Sequence, residues 1–183
     1  MTVISTGLDG CFIIEPKVFT DERGYFMESF NEDTFEKHTG HKVHFVQDNQ
    51  SKSTKGVLRG LHYQTGDHAQ AKLVRVLEGE VLDVVVDIRP ESETYGKHLA
   101  VALSAENNRQ LFVPRGFAHG FVVVSDTATF FYKCDNFYNK ESEGGIAFND
   151  PALGIDWKLE HETLIISDKD QVLPNLQNSR KIW

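Results

Sequence analysis

Leu73-Val74-Arg75-Val76-Leu77-Glu78-Gly79-Glu80-Val81-Leu82-Asp83-Val84-Val85-Val86-Asp87-Ile88 is the stretch that decides the fold class. In its second half Leu82, Val84, Val86 and Ile88 form one uninterrupted apolar face, while Val81, Asp83, Val85 and Asp87 alternate on the other. Successive side chains of an extended chain point to opposite sides, so this period of two marks a strand. Leu73 to Leu77 forms another strand, joined to it by Glu78-Gly79-Glu80, a hairpin-sized turn. Working outward, Leu99 to Leu103, Gln110 to Val113, Gly120 to Val124 and Thr127 to Cys134 give four further strands, with Ser125-Asp126 turning between the last two. Upstream, Cys11 to Pro16 is a first strand ended by proline, Asp21 to Gly24 is a turn, and Tyr25 to Phe30 resumes the strand pattern. Asn31 is placed to cap a short helix over 32 to 38, with Glu32 and Asp33 in its first turn, Lys37 and His38 in its last, and Gly40 just beyond. A second helical stretch is predicted around His161 to Ile165. Short strands at regular spacing with turns between them indicate a β-sandwich or barrel.

Composition narrows the function. The 183 residues suffice for one domain with a sizeable core, and 40% of them are hydrophobic, which excludes a disordered chain. Thirteen Phe and five Tyr against two Met point to an aromatic-rich β interior. A net charge of −8 argues against nucleic acid as a partner, so an anionic ligand needs a local basic pocket. Cys11 and Cys134 lie far apart and form no CxxC pair, which excludes a zinc ribbon or thiol redox motif and predicts two reduced, buried thiols. Met1 to Gly7 lacks the features of a signal peptide, and no apolar stretch approaches the roughly 20 residues a membrane span requires, so the cytoplasm is the expected location.

Two glycine-punctuated segments bring histidines out of the strand pattern: Arg59-Gly60-Leu61-His62 and Pro114-Arg115-Gly116-Phe117-Ala118-His119. On a regular strand from Leu58 to Gln64, His62 shares a face with Leu58, Gly60 and Gln64, and Gly60 leaves space beside it for a ligand. Taken alone, His62 is either such a ligand-facing group or a core histidine bonded to backbone. Alternation puts Arg59 on the opposite face, unless a bulge turns it inward or it reaches around the strand end. Gly56 followed by five residues and His62 resembles the first cupin motif, and Pro114-x-Gly116-x-x-His119 the second. Metal-binding cupins carry a further His and a Glu after the first His; here those positions hold Gln64 and either His68 or Ala69. Gln64 is a poor transition-metal ligand, and His62 with His119 falls short of a three-ligand site, so no metal is expected.

A closer resemblance covers roughly residues 10 to 175. Pro16-Lys17-Val18-Phe19 with Asp21-Glu22-Arg23-Gly24, then Phe45 to Ser51, Val57 to His62, Lys72 to Val76, Val86 to Arg89, Gly116 to Phe121, Ser142 to Gly144 and Ser167 to Asp170 resemble, in order, the motifs of the nucleotide-sugar 3,5-epimerases. The resemblance implies a mainly β, cupin-type double-stranded β-helix (a jelly-roll barrel) with a few short helices, as a single domain over 1–183. It implies no cofactor, a nucleotide-sugar substrate, and a homodimer whose N-terminal segment contributes to the neighbour's site. It also implies inversion of the two carbons flanking a ketone. Their C–H bonds are acidic because the carbanion delocalises onto the carbonyl oxygen; the reaction needs a base, a stabiliser for that oxygen and an acid on the opposite face.

The resemblance assigns these roles to His62 as base, Asp170 as its hydrogen-bond partner, Tyr132 as acid and Lys72 as the charge at the oxygen. It places Arg23, Glu28, Gln47, Asn49, Arg59, Lys72, His119, Glu143 and Lys169 on the substrate, with Tyr138 and Phe26 stacking on the nucleotide base or lining its pocket. Without it, Asp170 reads as a surface acid beside Lys169, Tyr132 as a barrel aromatic, and Arg23, Glu28 and Glu143 as salt-bridging surface groups. Three other functions fit parts of the pattern: epimerisation of one carbon or a ketone shift, a metal-dependent cupin oxygenase, and a non-catalytic nucleotide-sugar-binding module.

Overall fold

The computed structural model describes residues 1–183. In chain order its elements are β1 (Thr2–Ser5), β2 (Phe12–Glu15), β3 (Val18–Asp21), β4 (Gly24–Met27), α1 (Glu32–Thr39), β5 (Gln47–Thr54), β6 (Val57–Gln64), β7 (Lys72–Glu78), β8 (Glu80–Asp87), β9 (His98–Ser104), β10 (Gln110–Val113), β11 (Phe117–Val123), β12 (Thr127–Cys134), β13 (Glu143–Gly145), β14 (Ile165–Ile166) and α2 (Asp168–Gln171). One sheet runs β1-β2-β10-β7-β12-β5; the facing sheet runs β13-β6-β11-β8-β9, with β14 added in parallel to β6. The fold is the jelly-roll barrel that the cupin motifs imply, with β3 and β4 forming a separate hairpin outside both sheets.

Apart from the turn between β3 and β4, the tight turns do not make hairpins. Glu78-Gly79-Glu80 joins β7 of one sheet to β8 of the other, so the two strands lie across the core and do not pair. The β11–β12 and β5–β6 turns make the same crossing, and the corners bond to one another: Lys55 N–H donates to Asp126 O (3.0 Å), and Gly56 N–H to Val123 O (2.9 Å). The physical reason is in the side chains. Val74 and Val76 of β7 pack against Val81 and Val85 of β8 in one buried cluster with Leu103, Leu111, Phe121 and Phe130, and only facing sheets allow that.

The C-terminal segment buries the second sheet's outer face. Val84, Val86 and Ile88 pack there with Leu58, Leu61, Phe148, Trp157 and Ile182. The uninterrupted apolar face of β8 therefore points away from the barrel, and the face carrying Asp83 points in. A third cluster, with Phe35 of α1, Leu73 and Phe112, covers the first sheet's outer side.

The first helix forms as predicted: Asn31 Oδ1 accepts from Thr34 N–H, and Gly40 closes the helix in a left-handed conformation. The helix predicted at His161 to Ile165 does not form. That stretch is one 3-10 turn over His161–Thr163, followed by Ile165 and Ile166 pairing with Val57 and Leu58 of β6. The strand predicted from Tyr25 stops at Met27, because Phe30 turns aside to pack against Phe35 and Phe45. Both cysteines are buried and unpaired, as expected, and no helix is long and apolar enough to cross a membrane.

Candidate active site

A cavity of about 640 Å³ opens between the sheets, and both contribute polar side chains to its walls. β6 supplies Arg59 and His62. His62 pairs with His119 of β11 and Arg59 with Phe121, so Gly60 and Leu61 together face Gly120. This extra residue is a β-bulge, and it reverses the alternation within the strand. Arg59 and His62 consequently share the cavity side, while Leu58 and Leu61 share the outer cluster. The expectation that Leu58 lies beside His62 is corrected, and the tension over Arg59 is resolved by the bulge. Gly60 does not leave room for a ligand either. A Cβ there would sit 2.5 Å from Gly120 Cα, so the missing side chain serves close backbone packing.

Asp170 reaches His62 from 108 residues away: Nε2 to Oδ1 is 2.6 Å. β14, paired to the start of β6, delivers the chain to this point, and Ser167 Oγ accepts from the Asp170 N–H at the start of α2. The second carboxylate oxygen accepts from Gly60 N–H at 3.2 Å. Burial pushes the Asp170 carboxyl up, but the hydrogen bond and charge of His62, the Gly60 amide and Lys169 outweigh it and hold the group below its ordinary value. With Nε2–H donated to Asp170, Nδ1 is the ring nitrogen left with a lone pair.

The facing sheet supplies Lys72, Tyr132 and Asn49. On neighbouring strands Lys72 pairs with Cys134 and Tyr132 with Asn49, which puts all four side chains on the inner face. Lys72 Nζ lies 5.8 Å from the centre of the Tyr132 ring. Burial pulls the Lys72 ammonium below the ordinary lysine value, opposed by Cys134 and Asp83. Burial, with Cys134, raises the Tyr132 phenol, while Arg59 works against the rise.

Beneath the cavity floor lies a residue that sequence reasoning left unassigned. Asp83 is fully buried, and both its oxygens accept from His119 Nε2, at 2.9 and 3.1 Å. Its only signal was an acid inside a valine-rich strand, and the side of the sheet it faces was not readable from one strand.

The remaining expected residues divide into rim and periphery. At the rim Lys169 Nζ donates to Glu143 (2.7 Å), and Gln47 Oε1 accepts from the Tyr138 amide (2.9 Å) while its Nε2 donates to Asn49 (3.1 Å). Tyr138 is exposed there beside Glu143, and its phenol is raised by slight desolvation and by that carboxylate. Arg23, Phe26 and Glu28 lie outside the cavity: Arg23 is bonded to Asp21 at the tip of the β3–β4 hairpin, Phe26 is 71% exposed, and Glu28 accepts from Asn31 (3.2 Å).

The polar groups have partners other than a metal. Gln64 spends its amide on the His68 and Phe137 carbonyls and the Asn139 N–H, and His68 bonds to Asn139. Nowhere do three His, Cys, Asp or Glu side chains gather in a metal-holding group. What the walls offer is an imidazole with a free nitrogen on one side and a phenol with an ammonium on the other.

The sequence model of the dTDP-4-dehydrorhamnose 3,5-epimerase family matches residues 5–178. A protein of Shigella flexneri named dTDP-4-dehydrorhamnose 3,5-epimerase is 59% identical over 170 residues, 93% of each chain. The crystal structure of dTDP-4-dehydrorhamnose 3,5-epimerase from Elizabethkingia anophelis superposes with a TM-score of 0.95 at 61% identity, covering 100% of this chain and 99% of that one. That of the Legionella pneumophila dTDP-6-deoxy-D-glucose-3,5-epimerase, in complex with dTDP-4-keto-L-rhamnose, gives 0.93 at 51% identity, covering 97% and 93%.

Proposed function

The chain belongs to the dTDP-4-dehydrorhamnose 3,5-epimerase family, and from that premise we propose that His62 and Tyr132, on facing walls of the cavity, carry out its proton transfers. It is an isomerase that inverts C3 and C5 of dTDP-4-dehydro-6-deoxy-D-glucose to give dTDP-4-dehydro-L-rhamnose, in the synthesis of dTDP-L-rhamnose. The observation that carries the residue roles is the placement of the base and the acid on opposite sheets, as an inversion requires.

His62 Nδ1 takes the proton from the carbon beside the ketone. The C–H electron pair becomes the enolate double bond, and charge moves to the ketone oxygen. Asp170 holds the imidazole in the tautomer that can accept and stabilises the imidazolium that results. Lys72 meets the developing oxyanion, an interaction worth about 3–4 kcal/mol in a preorganised site. Tyr132 donates its phenolic proton to the other face, the enolate pair forms the new C–H bond, and both side chains re-equilibrate with solvent. The sequence repeats at the second carbon.

Arg59, Asn49, Gln47, His119, Glu143 and Lys169 hold the nucleotide sugar, with Tyr138 at the rim against the base. Arg23, Phe26 and Glu28 act on the neighbour's substrate in a homodimer: they lie on or beside a hairpin that pairs with neither sheet of its own chain and leaves its aromatic side chains largely exposed. The chain works as a single domain over 1–183, in the cytoplasm. Incubating the protein with dTDP-4-dehydro-6-deoxy-D-glucose in heavy water places deuterium at C3 and C5 by NMR. Full exchange by His62→Ala would overturn the base assignment.

A further inference from the structure

The barrel floor holds a second His–carboxylate pair that the proton transfers above do not use. Asp83 has no solvent exposure, and His119, 6% exposed, lies beside His62 on the next strand. A buried carboxylate costs several kcal/mol unless charge and hydrogen bonds compensate it. The bond of both its oxygens to His119 is one compensation, and Lys72 is the other: from the facing sheet it enters the same cavity as His119, above Asp83, and Asp83 works against the fall of its charge.

We propose that Asp83 is a positioning residue for the epimerisation: its buried carboxylate fixes His119 and supplies the counter-charge that keeps Lys72 an ammonium facing the ketone oxygen. The proposal rests on the function read above and deepens it. Several groups face Lys72: Cys134 and Tyr132 on β12, Asp83 on β8, His119 on β11, and Arg59 and His62 on β6; Val113 on β10 is apolar. The Cys134 thiol is pushed up to about 11 by burial and is protonated at neutral pH. The Cys11 thiol, in the buried cluster between the sheets, is pushed up to about 12, also by burial. That leaves Asp83 as the standing negative charge against a lysine in a site that already disfavours the ammonium. His119 then keeps one fixed orientation, with Nε2–H committed to Asp83.

The test is Asp83→Asn, which keeps the shape and one acceptor but removes the charge. The expected result is a fall in kcat of about 10- to 100-fold, with a smaller rise in KM from the loosened His119. The alkaline limb of the kcat profile should also move to lower pH, because a desolvated ammonium without its counter-charge deprotonates sooner. An unchanged profile, or a loss of activity that leaves the limb in place, overturns the proposal. Should Asp83→Asn melt too low to assay, the double variant Asp83→Asn/Lys72→Met decides. Removing both charges is expected to recover melting temperature relative to Asp83→Asn, and a further additive drop overturns the pairing. Wild-type protein run alongside in heavy water separates the two readings. Deuterium uptake by wild type together with an unaffected Asp83→Asn sinks this inference alone; no uptake by wild type sinks the function.

Discussion

At the scale of the residue, the His62–Asp170 pair makes a prediction about stability as well as rate. Asp170 is held below its ordinary carboxyl value in the fold, so its contribution to stability is fully present above that ordinary value and is lost as pH falls through the lower, folded one. Asp170→Asn should therefore melt below wild type at neutral pH, and the gap should narrow as pH drops below about 4, which thermal melts across that range would measure. The same variant should lose about 10²- to 10⁴-fold in kcat, since the imidazole loses both its fixed tautomer and the charge that stabilises its protonated form. A gap that widens on acidification contradicts the electrostatic account. The two residues differ in how legible they were. His62 announces itself through a glycine-spaced motif, whereas nothing local in Ser167-Asp168-Lys169-Asp170 says that its last acid is buried. That follows from β14 docking on β6, a contact made across more than a hundred residues, and only the family resemblance carried it.

Elements were legible where period-two patterning is strong, and their partners were not. The strand character of β8 is plain from Leu82 to Ile88, but alternation says only which side chains share a face. Whether Glu78-Gly79-Glu80 closes a hairpin or turns a corner depends on β10, β12, β9 and β11 competing for the edges of β7 and β8, which no local signal encodes. β5 shows the opposite difficulty. Gln47-Asp48-Asn49-Gln50-Ser51-Lys52-Ser53-Thr54 is wholly polar, yet it is a full-length strand whose odd-numbered residues turn toward the cavity and whose even-numbered ones meet solvent. Its inner face is polar because it lines the site. The corner itself can be tested. Gly79 has φ 75°, and a Cβ there would lie 2.0 Å from Thr127 O, whereas Gly66 has φ 61° with nothing within 4 Å. Gly79→Ala should cost about 2–3 kcal/mol, while Gly66→Ala should cost only the about 1 kcal/mol of the left-handed backbone. Urea titrations compare the two directly, and equal midpoints would mean that the corner tolerates opening.

The whole molecule leaves one element unexplained by its own chain. β3 and β4, four residues each, pair only with each other, and Phe19, Tyr25 and Phe26 stand 53%, 61% and 71% exposed. An isolated two-stranded hairpin is marginal in water, and clustered exposed aromatics mark a surface that meets another molecule. In the proposed homodimer that molecule is a second copy, and Arg23 at the hairpin tip reaches the partner's cavity. A closed two-fold arrangement makes the exchange reciprocal, so each site draws His62 from one protomer and Arg23 from the other. Complementation then follows from geometry. Arg23→Ala and His62→Ala should each be nearly inactive as homodimers. Unfolded together and refolded in equal amounts, about half of the dimers are mixed, and each of those has one site with both wild-type residues, so about a quarter of wild-type activity should return. Were both residues to serve a site within a single chain, the mixed dimer would contain two defective sites and no activity would return. The readout therefore separates an exchanged hairpin from one that folds back on its own barrel.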